Sequence, residues 1–153
     1  MNDRQLELEE LLATTTGTLE LMNLVESGDL DSLYVLALAY YDGDYVEQDR
    51  VKCVELLEQA VAKGHEKSIH DLGCFYYYGY GFPTEFRSPK KAEKLLLVSA
   101  QKGYSPSMIF LGRMYMHGDG VKKNLVVAKE LLLKAEKAGL EEASDLLNEI
   151  NGL

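Results

Sequence analysis

The stretch from Ser107 to Gly139 reads SMIFLGRMYMHGDGVKKNLVVAKELLLKAEKAG, and it decides the architecture. Its apolar residues recur at helical, not alternating, spacing on either side of the Gly118-Asp119-Gly120 turn. The same punctuation occurs twice upstream. Gly43, Gly79 and Gly118 are spaced 36 and 39 apart, and Gly64, Gly103 and Gly139 are spaced 39 and 36 apart. The three extra residues fall in one loop of the middle unit, around Pro83-Thr84-Glu85-Phe86-Arg87. Internal repetition at this period marks a repeat architecture, in which one unit cannot hide its apolar faces and stacking supplies the core.

Other residues share the register. Ser32, Ser68 and Ser107 align, as do Leu36, Leu72 and Leu111, and Tyr40, Tyr76 and Tyr115. Later in each unit Leu56-Leu57, Leu95-Leu96 and Leu131-Leu132 align. Small residues recur at Cys53, Ala92 and Ala128, and at Ala60, Ser99 and Ala135. Each unit therefore reads as two helices. Helix A is expected over 32–42, 68–78 and 107–117, closed by a glycine suited to a left-handed C′ position. Helix B is expected to start after Asp49, Ser88 and Asn124, whose side chains can accept from an exposed N–H of the first turn. Pro89 follows Ser88, where its missing N–H costs nothing. The small residues should let helix B approach helix A, and the leucine pairs should fill the space between neighbouring units. Burying each leucine contributes roughly 1.5–3 kcal/mol.

The ends read as caps. Asp3 to Ala13 and Thr18 to Ser27 form two N-terminal helices joined through Gly17, and Ala143, Leu147 and Ile150 mark a final A-type helix. The whole chain is then one all-α domain: caps at 1–30, repeats at 31–66, 67–105 and 106–141, and a cap helix at 142–153.

At 46% hydrophobic, 153 residues suffice for a real core. No run of 18 apolar residues exists to span a bilayer, and the acidic start lacks the pattern of a signal peptide, so a cytoplasmic protein is expected. Cys53 and Cys74 have no metal-ligand spacing and read as free thiols. The net charge of −9 is uneven: residues 1–66 carry −11 and residues 67–153 carry +2. An acidic half repels phosphate backbones and attracts a basic protein surface, so nucleic acid is not an expected partner.

The repeat resembles the Sel-one-like repeat, a relative of the tetratricopeptide repeat. Unit three carries that pattern in Ser107, Leu111-Gly112, Tyr115, Gly118-Asp119-Gly120-Val121, Asn124, Ala128, Leu131-Leu132, Ala135 and Gly139. Unit one departs at Ala37 and at Tyr45, which stands where the second loop glycine belongs; unit two departs at Phe82 and in its longer loop. The resemblance implies a right-handed superhelical α/α solenoid of about three helix pairs with capping helices. It also implies a scaffold or adaptor that binds proteins, with no catalytic residues to carry over and no cofactor. Histidine is common in the family where His65 stands, which implies a structural role for it.

If the A helices line a concave face, as in tetratricopeptide-like solenoids, the groove positions follow from the register. They are Tyr34, Leu38, Tyr41 and Asp42 in unit one. In unit two they are His70, Cys74, Tyr77 and Tyr78; in unit three, Ile109, Arg113, Met116 and His117. These vary between units whereas Leu36, Leu72 and Leu111 do not, and tyrosine, arginine and methionine suit binding surfaces. Two loops are further candidates: the acidic one holding Asp42, Asp44, Glu47 and Asp49, and the middle one holding Tyr80, Phe82 and Phe86.

The first functional reading is a non-enzymatic immunity or inhibitor protein of bacterial type, monomeric when free, that neutralises one basic toxin. The alternative is a general adaptor in a regulatory or host-interaction pathway. A remote third is a hydrolase using Cys74 and His70, four apart on one helix face, with His117 as a possible third zinc ligand. No P-loop lysine, HExxH, GxSxG or EF-hand loop accompanies these residues.

Overall fold

The computed structural model describes residues 3–79 and 87–152, with Thr15 described by its backbone alone. The middle-loop aromatics Tyr80, Phe82 and Phe86 lie outside the described residues. The chain divides into two compact units, Met1–Ser68 and Ile69–Leu153.

Among the described residues there are nine helices: α1 (Asp3–Leu12), α2 (Thr15–Glu26), α3 (Leu30–Asp42), α4 (Arg50–Ala62), α5 (Glu66–Tyr78), α6 (Pro89–Gln101), α7 (Ser105–His117), α8 (Leu125–Lys137) and α9 (Glu141–Asn151). The A helices α3, α5 and α7 each begin two residues before the expected start. In α3 the cause is Asp29, whose carboxylate accepts from the Ser32 N–H and takes the cap position. The aligned serine is thus an interior residue of the first turn.

The B helices start where the polar caps predict. Asp49 accepts from the Lys52 N–H, Ser88 from that of Lys91, and Asn124 from those of Val126 and Val127. The same three residues also use their backbone. Asp49, Ser88 and Asn124 donate their N–H to the carbonyls of Tyr40, Tyr76 and Tyr115 at 2.9, 2.7 and 2.8 Å. The last turn of each A helix leaves such carbonyls without an intrahelical donor, so this bond ties the loop to the helix end.

The B helices close alike. His65, Tyr104 and Leu140 donate to the carbonyls of Ala60, Ser99 and Ala135, five residues back, across glycines at φ +84, +93 and +87°. This is the Schellman arrangement, and the left-handed glycine is what permits it. Helix α2 ends the same way, with Asp29 donating to Leu24 across Gly28.

In Met1–Ser68, α1 packs on α2 and on α3, and α3 packs on α4. Leu8, Leu21, Leu57 and Val35 are its most buried large side chains. In Ile69–Leu153, α6 packs on α7, α7 on α8, and α8 on α9. Here the small residues set the spacing. A Cβ placed on Gly112 would lie 2.8 Å from Leu132 Cγ, and one on Gly73 would lie 2.9 Å from Leu96 Cγ. In the second and third repeats the second leucine of the pair therefore packs against the A helix of its own repeat, whereas the expectation placed it between neighbouring units. The reason is the missing side chain on the A helix, which leaves room for it there.

Candidate functional site

The expected groove positions separate by burial. Leu38, Tyr41, His70, Cys74 and Tyr77 are half-buried, and Asp42, Tyr78, Arg113 and His117 are exposed. Two expected contacts, Tyr34 and Met116, are instead packing residues, and a third, Ile109, is buried yet lines a cleft. Tyr34 is 7% exposed, its ring tilted against that of His65 with centroids 5.2 Å apart and the Lys67 ammonium 5.9 Å from its ring centre. Met116 is 1% exposed. Variation between units marked these positions, but core positions also vary where their neighbours differ.

In the first unit a groove of about 480 Å³ runs between α1 and α3. Leu6, Leu12, Val35, Leu38 and Ala39 make its apolar surface. Glu9, Glu10, Asp42 and Asp44 stand around it, and no lysine or arginine is among its lining residues. Gln5 donates to Glu9 at 3.0 Å and so fixes that carboxylate. Burial, and then the charge of Asp44, hold the Asp42 carboxyl above its usual range, with Arg50 partly opposing them. Arg50 itself lies 5.2 Å from the Tyr41 ring centre. Glu47 lies in the same loop, exposed, and does not line the groove. Tyr45 does line it, although composition gave it no role. It is 63% exposed and holds φ +64°, whereas Gly120 in the third repeat holds φ +76° at the aligned position. The departure from glycine was the signal for it in the sequence.

His65 closes the same unit. Its Nδ1 accepts from Ser68, with Oγ at 2.7 Å, and its Nε2 faces Asp31 at 3.3 Å. This is a cap for α5, in keeping with the structural role implied for it.

In the second unit a smaller cleft of about 280 Å³ is bordered by His70, Tyr78, Ile109, Phe110, Arg113 and Glu142. Tyr77, Tyr78 and Phe110 meet edge to face, with centroids 5.0–5.4 Å apart. Such geometry suits aromatic quadrupoles and stiffens the wall. Burial, and then the hydrogen bond that the Tyr77 hydroxyl donates to Asp119, raise its pKa. Arg113 pairs with Glu142 at 2.5 Å across the cleft mouth.

His70 and Cys74 do meet, with the thiol 3.6 Å from Nε2. Ser107 donates to Ser99 at 2.8 Å, so its oxygen accepts from His70 Nδ1, also at 2.8 Å. That bond makes Nε2 the acceptor for the Cys74 S–H. Burial pushes the thiol pKa up to about 12 and the imidazole pKa down, against a smaller opposite effect of Asp71 on the histidine. Both shifts favour the neutral pair, the reverse of the thiolate and imidazolium a nucleophile needs. Among the described residues no group of three His, Cys, Asp or Glu side chains is placed to hold a metal ion, so His117 does not complete a set with His70 and Cys74. Nor is any helix among them long and apolar enough to cross a membrane.

Tandem helix pairs with open, side-chain-lined clefts define a helical repeat protein of the protein-binding class. The Sel1 repeat family model matches residues 30–65, 67–104 and 105–140, and the chain belongs to that family. The family is a generally non-catalytic protein-interaction fold. A curated relative, an exopolysaccharide production negative regulator of Rhizobium meliloti, is 29% identical over 74% of this chain and 47% of its own length. The chain thus spans about half the length of the curated relatives it matches. A Sel1 repeat protein from Oxalobacter formigenes superposes with a TM-score of 0.75 at 29% identity, covering 86% of this chain and 97% of that one. A protective antigen of uropathogenic Escherichia coli strains superposes at 0.83 and 28% identity, covering 91% of this chain and 30% of the antigen.

Proposed function

We propose that this chain acts in the cytoplasm as a regulatory adaptor, a monomer when free, that holds a protein partner against its A helices. One observation carries the reading. Within each unit, side chains that differ between repeats line the clefts, as Leu38, Asp42, His70, Tyr78 and Arg113 do, while the repeated Leu36, Leu72 and Leu111 are buried. A scaffold is kept constant and its open surface is specialised. The regulatory part rests on the relatives' name, exopolysaccharide production negative regulator.

A photo-crosslinking residue at Tyr78, with Val98 on α6 as a control, tests this in the native cell. Both positions are exposed. A discrete adduct from position 78 alone is the expected result, and no adduct from either refutes the reading. The second role, dedicated inhibition of one basic toxin, is favoured by the charge of −11 on residues 1–66. It requires a stoichiometric one-to-one complex that abolishes the partner's toxicity and forms more slowly as salt rises.

A further inference from the structure

We infer that the groove between α1 and α3 receives a cationic amphipathic segment of a partner protein, with apolar side chains on the groove surface and lysines or arginines against its acidic edge. This rests on the protein-binding reading and names the chemistry of what binds.

The argument begins with the apolar surface. Leu6 on the exposed side of α1 and Leu38 on α3 face a common space of about 480 Å³, the size range of sites that bury whole side chains. Leu6 is 43% exposed there, so part of its surface is available for cover. Charge then selects among possible covers. Glu9, Glu10, Asp42 and Asp44 carry one sign around that surface, and an acidic or neutral segment would leave them uncompensated. A cation docked between Asp42 and Asp44 relieves the repulsion they already exert on each other.

Tyr45 stands at the edge of the same groove. A non-glycine residue in the left-handed region is strained, and such strain clusters at clamps and binding sites. Here glycine would serve the fold better, as Gly120 does in the third repeat, while tyrosine gives the groove edge a large amphipathic contact. The ring also suits a lysine or arginine laid over its face.

The test uses the full chain and three fluorescein-labelled synthetic helical peptides. One carries leucine at i, i+3, i+4 and i+7 with lysine elsewhere; the second replaces lysine by glutamate; the third replaces leucine by serine. Anisotropy titration is expected to show the lysine–leucine peptide binding at least about tenfold more tightly than either other peptide. Glu9→Gln/Asp42→Asn and Tyr45→Gly should each weaken it by about tenfold. Tyr45→Gly should leave the protein at least as resistant to heat, which separates lost contact from lost fold. Glu20→Gln/Glu26→Gln on α2 makes the same change in net charge away from the groove and should leave affinity unaltered.

Equal weakening by the α2 pair overturns the proposal, because attraction would then be to overall charge. Equal affinity for the serine peptide overturns it, because the apolar surface would be idle. Absence of binding overturns it as well. In each case a crosslink from Tyr78, in the other unit, shows whether the broader protein-binding reading survives.

Discussion

Gly112→Ala sets two opposed effects against each other inside one helix pair. Gly112 lies within α7, where alanine is favoured over glycine by about 1 kcal/mol through the backbone entropy lost on folding. The added methyl, however, would sit 2.8 Å from both Cγ and Cδ2 of Leu132. Cγ is near the root of that side chain, and Leu132 is fully buried, so rotation alone does not clear it. Overpacking of this kind costs about 1–3 kcal/mol. The clash wins by about 1 kcal/mol, which for a chain of this size lowers Tm by about 2–4 °C. Leu132→Ala alone costs about 2–5 kcal/mol through its cavity. In that background the methyl has space, and Gly112→Ala becomes stabilising by about the 1 kcal/mol of its helix preference. The sign of one substitution thus reverses with its neighbour, a coupling of about 2 kcal/mol that a double-mutant cycle by chemical denaturation reads directly. A rise in stability in both backgrounds would refute the steric argument. The first repeat supplies the converse. Ala37 stands at the aligned position with Leu57, both fully buried, so Ala37→Gly is expected to destabilise.

Other expectations follow from the caps and the buried pair. Asn124→Ala removes the acceptor of two first-turn N–H groups of α8 and should cost about 1 kcal/mol in denaturant unfolding. Cys74, with its pKa raised to about 12, should react with iodoacetamide at pH 8 about a thousandfold more slowly than an exposed thiol, because so little thiolate is present. His70 is held below the ordinary imidazole value of about 6.5, so the unfolded chain takes up the proton first as pH falls. Its contribution is intact above that value and is lost progressively below it. His70→Gln should flatten the decline of stability as pH falls below about 6.5, and an unchanged slope would remove the histidine from the account.

The helix pairs were legible in the sequence because their boundaries are written in residues with a single physical reason to be there. Glycines at the helix ends supply left-handed backbone, and Asp49, Ser88 and Asn124 supply side-chain acceptors. What escaped was chemistry made by the backbone. The N–H of those same caps bonds to the carbonyl of the repeated tyrosine, and any residue but proline could do that. The site was read less well. Repeat comparison finds variable positions without telling a solvent-facing residue from one packed on a variable neighbour, and Tyr34 and Met116 are of the second kind. Tyr45 shows the opposite lapse: it broke the pattern, yet only the dihedral angle says what breaking it costs.

The hydrogen bonds of the aligned serines bear on how such an array can lengthen. Ser32 and Ser68 are served by the side chain three positions upstream, Asp29 and His65. Ser107 has Tyr104 there, which offers no side-chain cap, and depends on His70 and Ser99 of the preceding repeat. A tandem duplication of the third repeat would place Ile109 and Ala135 before the new copy, at the positions aligned with His70 and Ser99. Its serine would be buried with no side chain to answer it, at a cost of about 1–3 kcal/mol. The present chain avoids that at the corresponding place in α9, where the residue is Ala143, fully buried and without a hydroxyl. Growth of the array by copying this module therefore needs a point change at the same junction, and the order of the repeats is itself inherited information.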